Sequence, residues 1–104
     1  MISRLEQLEK FLKQDPADTF THYAIALEYV SLKKYNAAIA KFEEVITLNP
    51  NYVPAYHQLG LLYAQVSKSN DAVRALEMGI HVAEIVGDSH ARHEMEDAID
   101  ELGF

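Results

Sequence analysis

The sequence predicts an all-α fold of about six antiparallel helices that repeat along the chain. The first observation is a period, because a shift of 34 residues makes eight residue pairs identical between residues 16–49 and residues 50–83. The pairs are Pro16/Pro50, Leu27/Leu61, Tyr29/Tyr63, Lys34/Lys68, Asn36/Asn70, Ala38/Ala72, Glu43/Glu77 and Ile46/Ile80. The second observation is that apolar residues recur at helical spacing, and no segment alternates as a strand would. Both are typical of a helical repeat array.

Residues that favour helix ends bound the predicted helices. Ser3 and Glu6 are spaced as a capping box, in which each side chain accepts a free backbone N–H at the helix start. Asp18, Asn36 and Asn70 are expected to be N-caps, since their side-chain oxygens can do the same. The predicted helices span about 4–14, 19–32, 37–48, 53–66, 71–86 and 89–102.

The fifth predicted helix is longer than the others. A proline ends the preceding units, but Glu84 stands where the repeat would place the next one. The helix should therefore continue to about Val86, where Gly87 can act as a C-cap. Asp88 or Ser89 then begins the last helix.

Composition excludes several classes of function. The chain has 104 residues, enough for one domain, and no cysteine, which excludes disulfides and thiol catalysis. Its net charge of −7 is concentrated in residues 87–104, which hold one arginine against six acidic residues. Such a surface should repel nucleic acid and anionic membranes. No apolar run is long enough to span a membrane, and we expect a cytoplasmic protein.

The repeat resembles the tetratricopeptide repeat (TPR) family, whose pattern places aromatic, small and proline residues at fixed spacing. The first unit matches at His22, Ile25, Ala26, Tyr29, Ala38, Phe42 and Pro50, and the second at Tyr56, Leu59, Gly60, Tyr63, Ala72 and Leu76. Gly79 replaces the usual alanine, at an expected cost of roughly 0.5–1 kcal/mol. The resemblance implies one domain forming a right-handed α-α superhelix. Its parts would be a half-repeat helix (1–15), two repeats (19–52 and 53–86) and a capping helix (87–104).

Catalytic and cofactor-binding constellations are not found in the sequence, and we predict neither an enzyme nor a bound cofactor. His22 occupies a core position and is predicted to be a packed histidine. His90 and His93 lie one turn apart, which leaves open weak surface binding of a metal ion. The second histidine of a zinc-protease helix would fall at Asp97, so a specific metal site is not expected.

The resemblance implies that the first helix of each repeat lines a concave groove. The predicted groove residues are Phe20, Tyr23, Leu27, Val30, His57, Leu61, Gln65, Arg92 and Met95. This surface is unusually apolar, and apolar patches of several hundred Å² often mark interaction sites. We therefore predict a protein-interaction module or adaptor that binds an apolar or amphipathic peptide of unidentified origin. The alternative is a structural protein whose groove is a homodimer interface.

Overall fold

The computed structural model describes residues 2–103, and the described chain consists of six α-helices without a strand. The helices are α1 (Arg4–Gln14), α2 (Thr19–Ser31), α3 (Tyr35–Leu48), α4 (Val53–Gln65), α5 (Ser69–Val86) and α6 (Ser89–Glu101). The predicted number and order of helices are confirmed. The extension of α5 to Val86 is confirmed as well, and Gly87 follows it with a left-handed φ of 77°.

The helices form two compact units, one ending at Asn49 and the other beginning at Pro50. In unit 1, α2 packs against both α1 and α3. In unit 2, α5 packs against both α4 and α6, and α4 makes a smaller contact with α6. That the chain forms one domain with repeats at 19–52 and 53–86 stays a prediction.

Small residues allow the helices of unit 1 to pack closely. Ala26 of α2 and Ala38 of α3 are both fully buried, and Phe42, one turn after Ala38, has no exposed surface and lies against the ring of Tyr23 of α2. On the other side of α2, Leu8 packs against Ala24 and Ile25. The antiparallel packing predicted from the small residues is therefore present, and α2 is held from two sides.

Replacing Ala38 by leucine should lower the free energy of unfolding by roughly 1–3 kcal/mol, because a closely packed interior has no room for three extra carbon atoms. Thermal melts followed by circular dichroism would measure the loss. Ala37→Leu is the matched control, since Ala37 is exposed on the same helix. An Ala38→Leu chain that melts with the wild type would show that the packing at Ala38 is loose.

Three of the expected N-caps are present. The side chains of Ser3, Asp18 and Asp88 each accept a hydrogen bond from the backbone N–H three residues later, at 3.2, 3.2 and 3.0 Å. The capping box at α1 is only half formed, because the Glu6 carboxylate accepts from the Ser3 hydroxyl at 3.3 Å. These bonds satisfy N–H groups that have no partner within the helix.

The expected caps at Asn36 and Asn70 are wrong. The helices α3 and α5 each begin one residue before the asparagine, and their N-cap positions are Lys34 and Lys68. Neither lysine side chain makes a capping hydrogen bond. Both asparagines lie inside the first turn of a helix.

The cause is the tight turn that ends α2 and α4. Lys33 and Ser67 adopt left-handed φ values of 59° and 65°. The amide of each donates to the carbonyl three residues earlier, and the next amide donates to the carbonyl five residues earlier. This is the Schellman arrangement, which usually uses glycine at the left-handed residue. Because this arrangement turns the chain within so few residues, the next helix begins at Tyr35 or Ser69, before the asparagine that was expected to cap it.

Candidate functional site

The predicted groove residues of α2 line a cleft in unit 1, which we call the α2 cleft. It lies between α1 and α2 and has a volume of about 270 Å³. The lining residues are Arg4, Phe20, Tyr23, Ala24, Leu27, Glu28 and Ser31. The structure therefore brings three of the four predicted α2 groove residues together, and Val30 is half-buried outside this lining.

The α2 cleft exposes large apolar side chains. Phe20 is 65% exposed and Leu27 is 37% exposed. Tyr23 is half-buried, and its ring lies tilted against the ring of Phe42 with the centroids 5.8 Å apart. Tyr23 therefore belongs partly to the core, and its contact with Phe42 fixes the position of its ring. Much of the surface of Phe20 and Leu27, in contrast, is accessible to a partner.

An ion pair crosses one side of the α2 cleft. The Arg4 Nε atom lies 3.7 Å from Glu28 Oε2, joining α1 to α2. Exposed pairs of this kind contribute at most about 1 kcal/mol to stability. The two groups are thus free to exchange partners at small cost. They supply hydrogen-bond donors and acceptors beside an apolar surface.

A second cleft lies within unit 2, between α4 and α6, and we call it the α6 cleft. Its volume is about 260 Å³, and it contains the predicted residues His57 and Leu61. The rest of its lining is Glu94, Asp97, Ala98 and Glu101, none of which was predicted. Leu61 is 46% exposed. The α6 cleft is therefore an apolar surface bordered by carboxylates.

Neither of the two groove residues predicted on α6 lines the α6 cleft. Met95 has no exposed surface, and it packs against Gly79 of α5 and so belongs to the core. Arg92 lies at a different depression, which also contains Glu84 and Asp88. The reason is helical geometry, because Arg92 and Asp97 are five residues apart and point about 140° away from each other.

Gln65 stays a prediction as a binding residue. It is exposed at the end of α4, one turn beyond Leu61, and the α6 cleft does not include it. The acidic residues that do line the cleft carried a sequence signal. Glu94, Asp97 and Glu101 follow the i, i+3, i+7 spacing that places side chains on one helix face.

Equivalent side chains anchor the start of each repeat. His22 is 3% exposed, as expected for a packed histidine, and its Nε2 lies 2.7 Å from the Pro16 carbonyl oxygen. The Tyr56 hydroxyl donates to the Pro50 carbonyl, also at 2.7 Å. Burial raises the pKa of the Tyr56 hydroxyl, which therefore keeps the proton that it donates.

His22 makes a second polar contact that a tyrosine could not make. Nε2 can donate to the Pro16 carbonyl, and in that tautomer Nδ1 is an acceptor. The Lys41 Nζ atom of α3 lies 3.2 Å from Nδ1 and also donates to Glu44 at 3.0 Å. The imidazole is thus satisfied on both sides, which gives it a structural task.

The histidines of α6 contact different carboxylates. The His90 Nε2 atom lies 3.0 Å from Glu94, and His93 Nδ1 lies 3.4 Å from Glu96. Within residues 2–103, no group of three potential ligands is placed to hold a metal ion. Over the same stretch, none of the helices has the length and apolar character needed to cross a membrane.

Comparison with known proteins supports the repeat pattern. Residues 26–67 match the family model described as TPR repeat. A tetratricopeptide repeat domain protein from Salinibacter ruber is 36% identical, over 85% of this chain and 89% of that chain, with a TM-score of 0.80. The TPR2B domain of yeast Sti1, in a complex with pHsp70, gives a TM-score of 0.88 over 95% of this chain and 79% of that chain. At 19% identity, this likeness shows the fold alone.

A further relative is the tetratricopeptide repeat and J domain-containing co-chaperone DNJ1 of Cryptococcus neoformans. It is 32% identical over 54 residues, which make up 52% of this chain and 10% of DNJ1. The chain thus spans about a tenth of the length of this relative. The match to the Salinibacter protein, in contrast, covers most of both chains. This chain therefore belongs to the tetratricopeptide repeat family, with its all-α solenoid fold and its general role in protein–protein interaction.

Proposed function

We propose that this chain binds a peptide segment of a partner protein in the α2 cleft, where Phe20, Tyr23 and Leu27 take up apolar side chains. The observation that carries the proposal is the exposure of Phe20 and Leu27 on a helix that is already packed from two sides. Apolar surface of this kind has no task in the folded chain. It is suited to a partner, because burying one such side chain contributes roughly 1.5–3 kcal/mol.

The spacing of these residues suits a short segment. Phe20, Ala24 and Leu27 follow the i, i+4, i+7 pattern of one helix face, so they form a stripe along α2. Ala24 is small and 5% exposed, and it leaves a depression between two larger side chains. An apolar side chain of the partner would sit over Ala24, between Phe20 and Leu27.

The polar border would fix the orientation of the segment. An extended peptide carries unpaired N–H and C=O groups, which lose water on binding and need new partners. Glu28 can accept from an N–H group and Arg4 can donate to a carbonyl, once their mutual contact is exchanged. The apolar stripe would contribute affinity, and this pair would contribute direction.

The groove chemistry argues against a clamp for a C-terminal carboxylate. A clamp needs cationic or amide donors on the groove helix, and α2 presents Tyr23 and Leu27 instead. Yeast Sti1, whose TPR2B domain has a similar fold, forms a complex with pHsp70. That complex supports the recognition of protein segments by this fold, while the side chains here favour an apolar or amphipathic one.

The test is Leu27→Asp, which should weaken binding tenfold or more, since 1.4 kcal/mol is a factor of ten. Peptides would be selected on the wild-type chain from a displayed random library. A fluorescein-labelled selected peptide would then be titrated against each variant by fluorescence anisotropy. The fold should be retained, because the new carboxylate would lie at a partly exposed position.

Leu48→Asp is the matched control, because Leu48 is 42% exposed in the same unit and lies outside the α2 cleft. It should bind the peptide as the wild type does. Equal binding by the Leu27→Asp and Leu48→Asp chains would contradict the proposal. Sedimentation velocity tests the structural alternative: a wild-type dimer that Leu27→Asp dissociates would show that the α2 cleft binds a second copy.

A further inference from the structure

We propose that the α6 cleft is a docking surface for a basic amphipathic segment of a partner protein. An apolar side chain of the segment would rest on Leu61, and its lysine or arginine side chains would face Glu94, Asp97 and Glu101. The inference rests on the proposed function, because it assumes that the chain binds protein segments. It adds the chemistry of the partner, which the α2 cleft leaves open.

The α6 cleft combines the apolar side chains of Leu61 and Ala98 with an acidic border. Leu61 is 46% exposed, and Ala98 and His57 beside it are half-buried. The three carboxylates follow along one face of α6, at intervals of three and four residues. A partner side chain on Leu61 would therefore have carboxylates along its length, which suits alternating apolar and cationic residues.

Within the described part of the chain, no lysine or arginine pairs with the carboxylates of the α6 cleft. Within residues 2–103, Asp97 and Glu101 form neither an ion pair nor a side-chain hydrogen bond, and Glu94 contacts only His90. Arg92 is the only arginine or lysine of α6, and its Nε lies 3.9 Å from Glu96, away from the cleft. Like charges one turn apart on a helix repel each other. A cationic segment would relieve that repulsion.

The charge of the whole unit strengthens this attraction. From residue 50 onward, three lysines and arginines stand against nine acidic residues, a balance of −6. In residues 1–49, six basic residues stand against seven acidic ones, a balance of −1. A strongly one-signed surface attracts oppositely charged partners and speeds their association. The acidic unit is therefore the part of the chain that would select a basic segment.

The same charges disfavour other occupants. A second copy bound by a two-fold axis would place the same patch on both sides of the interface, so carboxylates would face carboxylates. Nucleic acids and anionic membranes would also be repelled. A peptide ending in acidic residues would be repelled for the same reason. A segment that carries both positive charge and apolar side chains matches both Leu61 and the three carboxylates.

The test uses three fluorescein-labelled helical peptides of the same design. Each carries leucines on one side, and one turn from each leucine stands a variable residue. The variable residue is lysine in the first peptide, glutamine in the second and glutamate in the third. The lysine peptide should bind the full chain at least tenfold more tightly than the glutamate peptide. Its affinity should fall as salt rises from about 0.1 M to about 1 M, which shortens the Debye length from about 10 Å to about 3 Å. Asp97→Asn combined with Glu101→Gln should weaken it by about five- to tenfold.

The control for this double variant is Glu77→Gln combined with Glu96→Gln, which removes the same charge outside the cleft. It should bind the lysine peptide nearly as the wild type does. Equal losses in the two double variants would overturn the inference, because net charge alone would then explain binding. Equal affinity for the lysine and glutamine peptides would overturn it as well. The proposed function is tested separately, by Leu27→Asp in the α2 cleft. Either of these outcomes would therefore overturn the inference about the α6 cleft without changing the result for the α2 cleft.

Discussion

A chain truncated after Gly87 should lose the cooperative unfolding of unit 2 and aggregate, because α6 covers apolar surface of α4 and α5. Met95 is the centre of that cover, because it has no exposed surface and packs against Gly79, which also lies beside Tyr56 of α4. Tyr56 is 5% exposed in the full chain. Without α6, the surface of α5 around Gly79 that Met95 covers would meet water, and exposed apolar patches of this kind lead to association. Terminal helices with a polar outer face commonly protect repeat arrays in this way.

Circular dichroism would measure the effect, as a loss of helical signal larger than the deleted residues account for. Sedimentation velocity would show the aggregation. A chain ending after Leu102 is the control, since it keeps the whole of α6. If the chain ending at Gly87 stays monomeric and melts cooperatively, α6 is an appendage, and the prediction of a capping helix fails.

Met95→Ala should lower the free energy of unfolding by about 2–5 kcal/mol, because it leaves a cavity where α5 and α6 meet. Met78→Ala is the matched control. Met78 lies one residue before Gly79 and is 54% exposed, so its loss should change stability by no more than about 0.5 kcal/mol. Urea titrations of the three chains would compare them. Similar midpoints for both variants would show that Met95 is not tightly packed.

Gly79→Ala belongs to the same experiment. A methyl group at Gly79 would lie 2.5 Å from the Met95 sulfur and 2.7 Å from Tyr56 Cβ. The thioether can move, but Tyr56 Cβ is fixed to the α4 backbone, so the helices must separate. Alanine would gain about 1 kcal/mol of helix propensity, yet we expect a net loss of roughly 1–3 kcal/mol.

The double variant separates packing from propensity. With Met95 shortened to alanine, one of the two obstacles to the new methyl group is gone, and the methyl fills part of the cavity. Gly79→Ala should therefore cost less in the Met95→Ala chain than in the wild type. Residues in contact typically show such couplings of about 0.5–3 kcal/mol. Strict additivity would mean that Met95 does not restrict this position.

Gly79 also shows how far the sequence can predict this fold. Helical spacing and a 34-residue period were enough to place six helices and to identify Ala38 as buried. Propensity alone made Gly79 a mildly unfavourable residue, whereas two side chains from other helices make it necessary. Helix propensity depends on the sequence of α5 alone. The close approach at Gly79 depends on how α4, α5 and α6 pack together.

The site was less predictable for a related reason. Three of the four residues predicted on α2 line one cleft, whereas Val30 does not. Both sides of that helix are apolar, so the sequence had only to indicate which side is left uncovered. On α6, Met95 and Ala98 are both apolar and three residues apart, and a modest rotation of the helix decides which one is buried. That rotation depends on the fit of Met95 against Gly79. The sequence period does not contain this information, and the carboxylates beside Ala98 were therefore missed.

The paired contacts of His22 limit how these repeats can be recombined. Tyr56 anchors its repeat with one hydroxyl, and Ala75 stands where the first repeat has Lys41. His22, in contrast, depends on Lys41 to donate to its second ring nitrogen. A designer who lengthens the array by copying units must therefore move His22 and Lys41 as a set. The second repeat can be copied with its tyrosine alone, which makes it the simpler building block.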